Sequence, residues 1–337
     1  MKLQIKTPCR LHATLIDMNG SIGRIDGSIG FTLSNPSWKI DFETKESPPL
    51  KLDIPKDVEG KYIDELVSDI LHRLGPGPDK ARISIRVREI IPRHVGLGSK
   101  TQLALALGDG ISRLLKLEKT PLPKEILAST VNRGGTSGIG VTSYFHGGVI
   151  IDGGHEYGAG KEKESFLPSS ASNAKPAPVL SRDDLPGEWR AVIGIPMLDS
   201  GAHDAKEVEI FKHRCPVPIS EVQQLAHVIL MKMLPAIKQQ RFKEICECIN
   251  FFQDTGFKKI EVGLRGRAYR QMLQDWREAG APCAGMSSFG PAIYSLAESE
   301  AQAIELRKSI DSIMRPYGGM SHISKLQNAG ASIIYLT

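Results

Sequence analysis

The stretch from Pro92 to Leu115 constrains the fold more than any other. Pro92-Arg93-His94-Val95 leads into Gly96-Leu97-Gly98-Ser99-Lys100-Thr101, and from about Lys100 to Leu115 the chain is apolar with helical spacing. Just before it, over residues 81–89, Ile83, Ile85 and Val87 alternate with Arg82, Arg86 and Arg88, which reads as a strand whose basic stripe, completed by Arg93, is its solvated face. Strand, glycine loop and apolar helix therefore follow one another. Two glycines let main-chain N–H groups turn outward, and the unpaired N–H groups of the helix's first turn add partial positive charge. Such a unit suits phosphate or pyrophosphate. It is not a Walker A loop, because Ser99 stands where that loop needs glycine before its lysine. It is not a dinucleotide loop either, since Thr101 takes the third glycine position. A plain strand-to-helix turn explains the glycines equally well.

Two more segments carry candidate chemistry. Arg133 precedes Gly134-Gly135-Thr136-Ser137-Gly138-Ile139-Gly140, a loop with two hydroxyls and a cation beside it, suited to phosphate or sugar hydroxyls. Residues 17–30 carry GSIG twice, at 20–23 and 27–30, and read as backbone that turns tightly or approaches a ligand closely. Arg10, His12, Asp17, Arg24 and Asp26 fall in or beside that segment. They read as a ligand shell or as a surface loop with ordinary ion pairs worth about 0–1 kcal/mol each.

The remaining pattern gives strands at 2–6, 143–151, 192–195, 282–286, 291–296 and 331–336. It gives helices at 61–74, 121–131, 202–213, 219–238, 240–253, 265–279 and 299–314. Mixed in this order, they predict an α+β fold and not a doubly wound parallel sheet. At 337 residues the chain suits two domains, and a Ser-, Pro-, Ala- and Lys-rich stretch at about 156–187, either a linker or a functional loop, divides it into 1–187 and 188–337. The five scattered cysteines include no CxxC pair, which argues for a reducing compartment and against a cysteine metal site. A net charge of +5 suggests an acidic small ligand and no nucleic-acid surface. With no run of about 18 apolar residues and no signal-peptide pattern, a soluble, cytoplasmic protein without a membrane partner is expected.

The motifs together carry a resemblance. PRHVGLGSKTQLA at 92–104 resembles the phosphate loop of the GHMP kinase superfamily, and GAPCAGMSSFGPAIYSL at 280–296 resembles its C-terminal glycine-rich motif. RLHATLIDMNGSIGRIDGSIG at 10–30, GLGSKTQLALALG at 96–108, NRGGTSGIG at 132–140, IDGGH at 151–155 and FLPSSAS at 166–172 narrow it to the family of β-ribofuranosylaminobenzene 5'-phosphate synthases. One departure is Lys100, where that family's pattern leads one to expect glycine. The resemblance implies a two-domain fold: an N-terminal mixed sheet with helices and the phosphate loop, and a C-terminal ferredoxin-like α/β sandwich. It also implies decarboxylating transfer of a phosphoribosyl group from 5-phosphoribosyl 1-pyrophosphate to 4-aminobenzoate with Mg2+ and no organic cofactor, in tetrahydromethanopterin biosynthesis, by a homodimer.

Kinases of the superfamily often carry a catalytic Asp eight residues before the second glycine of a Gly-Gly pair. Here that position is Gly140, ahead of Gly147-Gly148, which weakens the alternative of an ATP-dependent kinase. A non-catalytic sensor for a phosphate ligand is the other alternative. Within the transferase reading, Asp17 and Arg24 are the expected catalytic pair. Arg10, His12, Gly96, Gly98, Ser99, Lys100, Thr101, Arg133, Gly134, Gly135, Thr136, Ser137, Asp152 and His155 are the expected substrate and phosphate contacts. No carboxylate cluster has clear metal spacing, so the metal ligands stay open.

Overall fold

A computed structural model describes residues 1–55, 60–115, 122–169, 171–198 and 205–336. Three sheets organise them. The first joins β1 (Lys2–Lys6), β4 (Lys39–Thr44), β5 (Lys51–Asp53), β6 (Ile83–Glu89) and β14 (Ser332–Leu336) in the order β14-β1-β4-β6-β5. The last strand thus returns to the first, with Leu3 opposite Tyr335 in antiparallel register. On β6 the apolar residues are buried, while Arg86 meets Asp53 at 2.5 Å and Arg88 meets Asp41 at 2.7 Å on the exposed side. Arg82, Arg86 and Arg88 are exposed as a solvated face, whereas Arg93 lies beyond β6, half-buried with its guanidinium 4.0 Å over the Tyr62 ring.

The second sheet follows the order β2-β3-β7-β9: β2 (Cys9–Asp17), β3 (Arg24–Leu33), β7 (Val149–Asp152) and β9 (Val179–Asp183), with β8 (His155–Glu156) pairing β3. Here the sequence expectation needs correction. The segment 17–30 is a tight turn only up to Gly23, and the second GSIG lies inside β3, a buried strand between β2 and β7. Glycine is needed in that strand because of packing: a Cβ at Gly30 would lie 2.4 Å from Cγ2 of Ile139 and 2.5 Å from the Leu11 carbonyl oxygen.

Helices α1 (Gly60–Leu74) and α2 (Ser99–Leu115) pack on these sheets. α2 is buried on nearly every side, and its Gly110 lets the Phe42 ring approach to where a Cβ would sit 2.4 Å away. α3 (Lys124–Thr130) falls within the expected 121–131 helix, whose Pro121 lies outside the described residues. The strand expected over 143–151 is instead α4 (Ile139–His146) followed by β7. Val141, Thr142, Tyr144 and Phe145 favour strands, but Gly147 at φ +64° ends a helix there, and burial against β2 and β3 decides the conformation.

The third sheet, in the order β11-β12-β10-β13, is antiparallel: β10 (Arg190–Pro196), β11 (Gly285–Met286), β12 (Ile293–Ala297) and β13 (Gly319–Lys325). β13 was not anticipated. Helices α5 (Ala205–Arg214), α6 (Ile219–Val228), α7 (Leu234–Lys238), α8 (Phe242–Phe252), α9 (Gly256–Leu264), α10 (Arg267–Glu278) and α11 (Glu300–Met314) complete the chain. The start of the helix expected at 202–213 lies partly outside the described residues. The 219–238 helix is continuous but passes through a π-helical turn, 229–233, just before Pro235, which lacks the N–H an unbroken α-ladder would use. α8 buries Phe242, Ile245, Cys246, Ile249 and Phe252 on the face its spacing predicts. α9 has glycine near both ends and escaped the pattern.

Candidate active site

The glycine loop opens α2 as expected, with Gly96 at φ +91° and Gly98 at φ +78°. It is held from two sides. From β2, Arg10 donates its backbone N–H to the Leu97 carbonyl at 3.2 Å and its guanidinium to the Gly96 carbonyl. From the turn before β12, Ser287 Oγ donates to the same Gly96 oxygen at 2.6 Å, and the Ala292 N–H donates to the Val95 carbonyl at 3.0 Å. Ser99 Oγ is tied to the Ile91 carbonyl at 2.7 Å. The Thr101 N–H closes onto the Gly98 carbonyl at 3.1 Å, which removes it from the main-chain cradle expected over 96–101. α2 has no acidic residue in its first turn to offset its positive end.

A cleft of about 190 Å³ lies over this loop. Of the expected contacts it is lined by Arg10, His12, Gly96, Gly98, Ser99, Lys100, Thr101, Arg133, Thr136 and Ser137, and Gly140 joins them. β2 contributes Arg10, His12 and Leu15. Alternation alone would present Thr14 next, but a bulge between His12 and Thr14 shifts the register and brings Leu15 to the cleft. Glu207 and Phe211 of α5, Glu261 of α9, Pro168, Ser169, Ser288 and Phe289 complete the wall. Phe211, Phe257 and Phe289 form one aromatic cluster, with ring centroids 4.9–6.3 Å apart. Behind it the fully buried Lys258 pairs with Glu261 and donates to the Ser288 carbonyl at 3.0 Å. Burial holds Lys258 below the usual lysine range against the pull of Glu261.

Six expected site residues lie off the cleft. Asp17 accepts the N–H groups of Asn19 (2.7 Å) and Gly20 (2.9 Å) and so shapes the turn after β2. Arg24 donates to the carbonyls of Gly153 (2.6 Å) and Gly154 (3.4 Å), tying β3 to the β7–β8 connection. The expected catalytic pair is thus engaged with backbone and does not line the cleft. Gly134 and Gly135 serve close packing: a Cβ would sit 2.9 Å from Pro176 at Gly134 and 2.6 Å from Ser172 Oγ at Gly135. His155 is buried, its Nδ1 2.7 Å from Asp26 and its Nε2 2.9 Å from the Lys175 carbonyl.

Asp152, also buried, sits beneath the second glycine loop. It accepts from Ser28 Oγ, from the Gly138 N–H at 2.9 Å and from the Gly154 N–H at 3.1 Å. Ser28 in turn meets Ser137 Oγ at 2.7 Å, so Asp152 supports a cleft residue at one remove. Burial pushes its carboxyl up to about 6 despite those hydrogen bonds, and the Asp26 charge adds to the rise. A folded value above the unfolded 3.8 means the stability it contributes is complete below pH 3.8 and is lost as pH rises through about 6. Asp152→Asn removes this titration. The stability of the wild type relative to the variant should fall by about 2 kcal/mol between pH 4 and pH 7 in urea unfolding. A difference that does not change over that range would contradict the buried carboxyl.

Lys163, Glu207, Phe211, Lys258 and Glu261 were not foreseen. Lys258 and Glu261 share one turn of the unanticipated α9. Lys163 lies in the 156–187 stretch, which the structure makes a wall of the cleft through Pro168 and Ser169; Ser170 of that stretch lies outside the described residues.

A glycine loop opening a buried helix, pressed against a second glycine turn from the C-terminal sheet, defines the GHMP kinase class. The family models for the GHMP kinases N terminal domain and the GHMP kinases C terminal match residues 61–148 and 233–315. The fold is shared with L. major mevalonate kinase in complex with R-mevalonate (TM-score 0.70, 15% identity, 97% of this chain and 96% of that one). It is shared also with the Methanococcus jannaschii mevalonate kinase (TM-score 0.64, 13% identity, 96% and 98%). Within the class, the chain is 42% identical over 305 residues to the beta-ribofuranosylphenol 5'-phosphate synthase of Methanothermobacter thermautotrophicus, covering 89% of this chain and 90% of the relative. It is 39% identical over 341 residues to the enzyme of the same name from Methanocaldococcus jannaschii, covering 98% and 99%. The chain belongs to this family of synthases.

Proposed function

We propose that the chain transfers the phosphoribosyl group of 5-phosphoribosyl 1-pyrophosphate to the carboxylate-bearing ring carbon of a para-substituted benzoate, releasing CO2 and pyrophosphate. The observation that carries this reading is one cleft combining the glycine loop at the start of α2 with an aromatic wall, and with no carboxylate at position 140. The leaving pyrophosphate gains negative charge, which outward-facing amides and the start of α2 stabilise. Arg133, Thr136 and Ser137 suit the 5-phosphate, and Leu15, Phe211 and Phe289 suit the acceptor ring. A para donor pushes electrons onto the attacking carbon, and loss of CO2 restores aromaticity. 4-Aminobenzoate and 4-hydroxybenzoate share this logic. The relatives' name, a ribofuranosylphenol phosphate, favours 4-hydroxybenzoate.

Among the described residues no group of three metal-ligating side chains occurs. Mg2+ would therefore come with the diphosphate, supplying charge neutralisation, with Glu207 and Glu261 as the carboxylates of the cleft. Against the kinase alternative stands Gly140. Its Cβ position faces Thr101 Cγ2 at 3.0 Å, and a glycine there has no carboxylate to act as base toward a hydroxyl. The test measures CO2 from carboxyl-labelled 4-hydroxybenzoate and 4-aminobenzoate, with pyrophosphate release, in the presence of the donor and Mg2+. Binding of the donor without release of either product would favour the sensor reading, and ADP formed from ATP would favour the kinase.

A further inference from the structure

A buried carboxylate is wired to the cleft through two hydroxyls. Asp152 on β7 and Ser28 on β3 are register partners, and Ser28 Oγ is bonded to Asp152 Oδ2. Ser28 Oγ also lies 2.7 Å from Ser137 Oγ, where either hydroxyl can donate. Asp152 and Ser28 are buried, whereas Ser137 is half-buried and lines the cleft. The remaining partners are fixed main-chain donors: the Gly138 and Gly154 N–H groups on Asp152, and the Ile139 N–H on Ser137 Oγ at 3.3 Å. A hydroxyl has one proton and two lone pairs, so these contacts define two complete arrangements. With the carboxylate ionised, Ser137 donates to Ser28, Ser28 donates to Asp152, and one lone pair of Ser137 is left for the cleft. With the carboxyl protonated, Asp152 donates to Ser28, Ser28 donates to Ser137, and the Ser137 O–H is left for the cleft.

We infer that Ser28 and Asp152 are positioning residues for the donor's 5-phosphate, which Ser137 can meet as a hydrogen-bond donor only when a proton sits on Asp152. This rests on the transferase reading above, which sets that phosphate at Arg133, Thr136 and Ser137. A phosphate oxygen offers lone pairs and needs a donor, so the ionised arrangement points the wrong end of Ser137 at it. Above about pH 6 the phosphate is mostly the dianion, and the proton comes from water by way of the cleft. It passes to Ser137 Oγ, the Ser137 proton moves to Ser28, and the Ser28 proton moves to Asp152. A phosphate arriving as the monoanion gives its own P–O–H proton to the same chain, and each O–H bond broken is replaced by one formed. The charged groups around Asp152 are Asp26 on β3, with its partners His155 and Lys163, and Lys124 on α3. β9 sets Val179 beside it, and the start of α4 meets it with the Gly138 N–H. Burial and the Asp26 charge put the carboxyl at about 6, so near neutral pH it is ionised but within reach of a proton. Phosphate binding and protonation are therefore linked.

Calorimetry counts that proton. Ribose 5-phosphate is titrated at pH 7.5 in two buffers of different ionisation enthalpy. The native protein should take up about one proton per ligand bound. Ser28→Ala cuts the chain but keeps the carboxyl, and should take up less than about 0.3. Its affinity should be at least as high as the native one, because Ser137 then donates to the ligand without that proton. Ser137→Ala, at the half-buried end of the chain, should lose the uptake too and bind more weakly; compared by thermal melting, it covers a folding failure of the first variant. Uptake retained in either variant would mean that the phosphate charge protonates a nearby group without the hydroxyl chain, and overturns the inference. So does native binding without uptake, or no binding of ribose 5-phosphate by the native protein. Release of CO2 and pyrophosphate from the full substrates decides the transferase reading separately.

Discussion

Replacing Gly96 with alanine should abolish pyrophosphate release and lower the unfolding free energy by about 3 kcal/mol. Two independent terms contribute. At φ +91° an L-residue pays the left-handed strain, about 1–2 kcal/mol. The added Cβ would lie 2.1 Å from the Ser287 carbonyl oxygen, well inside contact distance. That oxygen cannot retreat freely, because it accepts the Gly290 N–H at 2.9 Å while the Ser287 N–H is bonded to the Ala292 carbonyl at 3.0 Å. The two glycine motifs would have to separate, and with them the turn carrying Ser288 and Phe289 into the cleft. Gly98→Ala is the control. Its Cβ would meet only the Arg10 side chain, Cγ at 3.0 Å and Nε at 3.2 Å, so about 1 kcal/mol of backbone strain dominates and measurable activity should survive. Urea unfolding and donor KM for both variants check the comparison. Full activity in Gly96→Ala would mean the cradle is not where the reaction occurs.

What the sequence made legible follows the range of the forces involved. The 96–100 loop and the helix behind it could be read because their cause is local: glycines where the backbone turns, and apolar residues at helical spacing behind them. β3 and α4 could not, since tertiary packing overrode local preference in both. Gly30 reads as a breaker but is the notch into which Ile139 fits, and the β-branched pair Val141-Thr142 is helical because α4 is buried against two strands. Asp17 and Arg24 illustrate a second limit. Charge beside flexible backbone signals a ligand or a turn equally, and only the hydrogen bonds to Gly20 and Gly153 tell which interaction those side chains make. Lys258 and Glu261 were hidden because a buried ion pair at i and i+3 looks, in sequence, like any solvated helical pair.

Lys163→Met should destabilise the protein by about 3–5 kcal/mol at pH 8, because it leaves a buried carboxylate without its cation. Lys163 Nζ, 2% exposed, donates to Asp26 Oδ2 at 2.8 Å, to the Leu167 carbonyl at 3.1 Å and to Thr136 Oγ1 at 3.2 Å. Asp26 is fully enclosed, its Oδ1 has no partner among the described residues, and its only other strong contact is His155. Burial alone would make His155 harder to protonate, but the hydrogen bond and charge of Asp26 overcome it and raise its proton affinity. His155 is therefore the residual cation, present at low pH and lost as pH rises through its raised value. The variant's penalty should be smaller at pH 6 than at pH 8, and Asp26→Asn added to Lys163→Met should recover part of it at pH 8. Function responds through position. Thr136 Oγ1 donates to the Leu167 carbonyl at 2.6 Å, so the lysine fastens the chain carrying Pro168 and Ser169 onto the second glycine loop, and both line the cleft. Donor KM should rise by about tenfold in Lys163→Met, with a smaller change in kcat. Urea unfolding at the two pH values and steady-state kinetics measure all three effects; a loss below about 1 kcal/mol with an unchanged KM would show that neither the buried pair nor the wall it fastens matters to this enzyme.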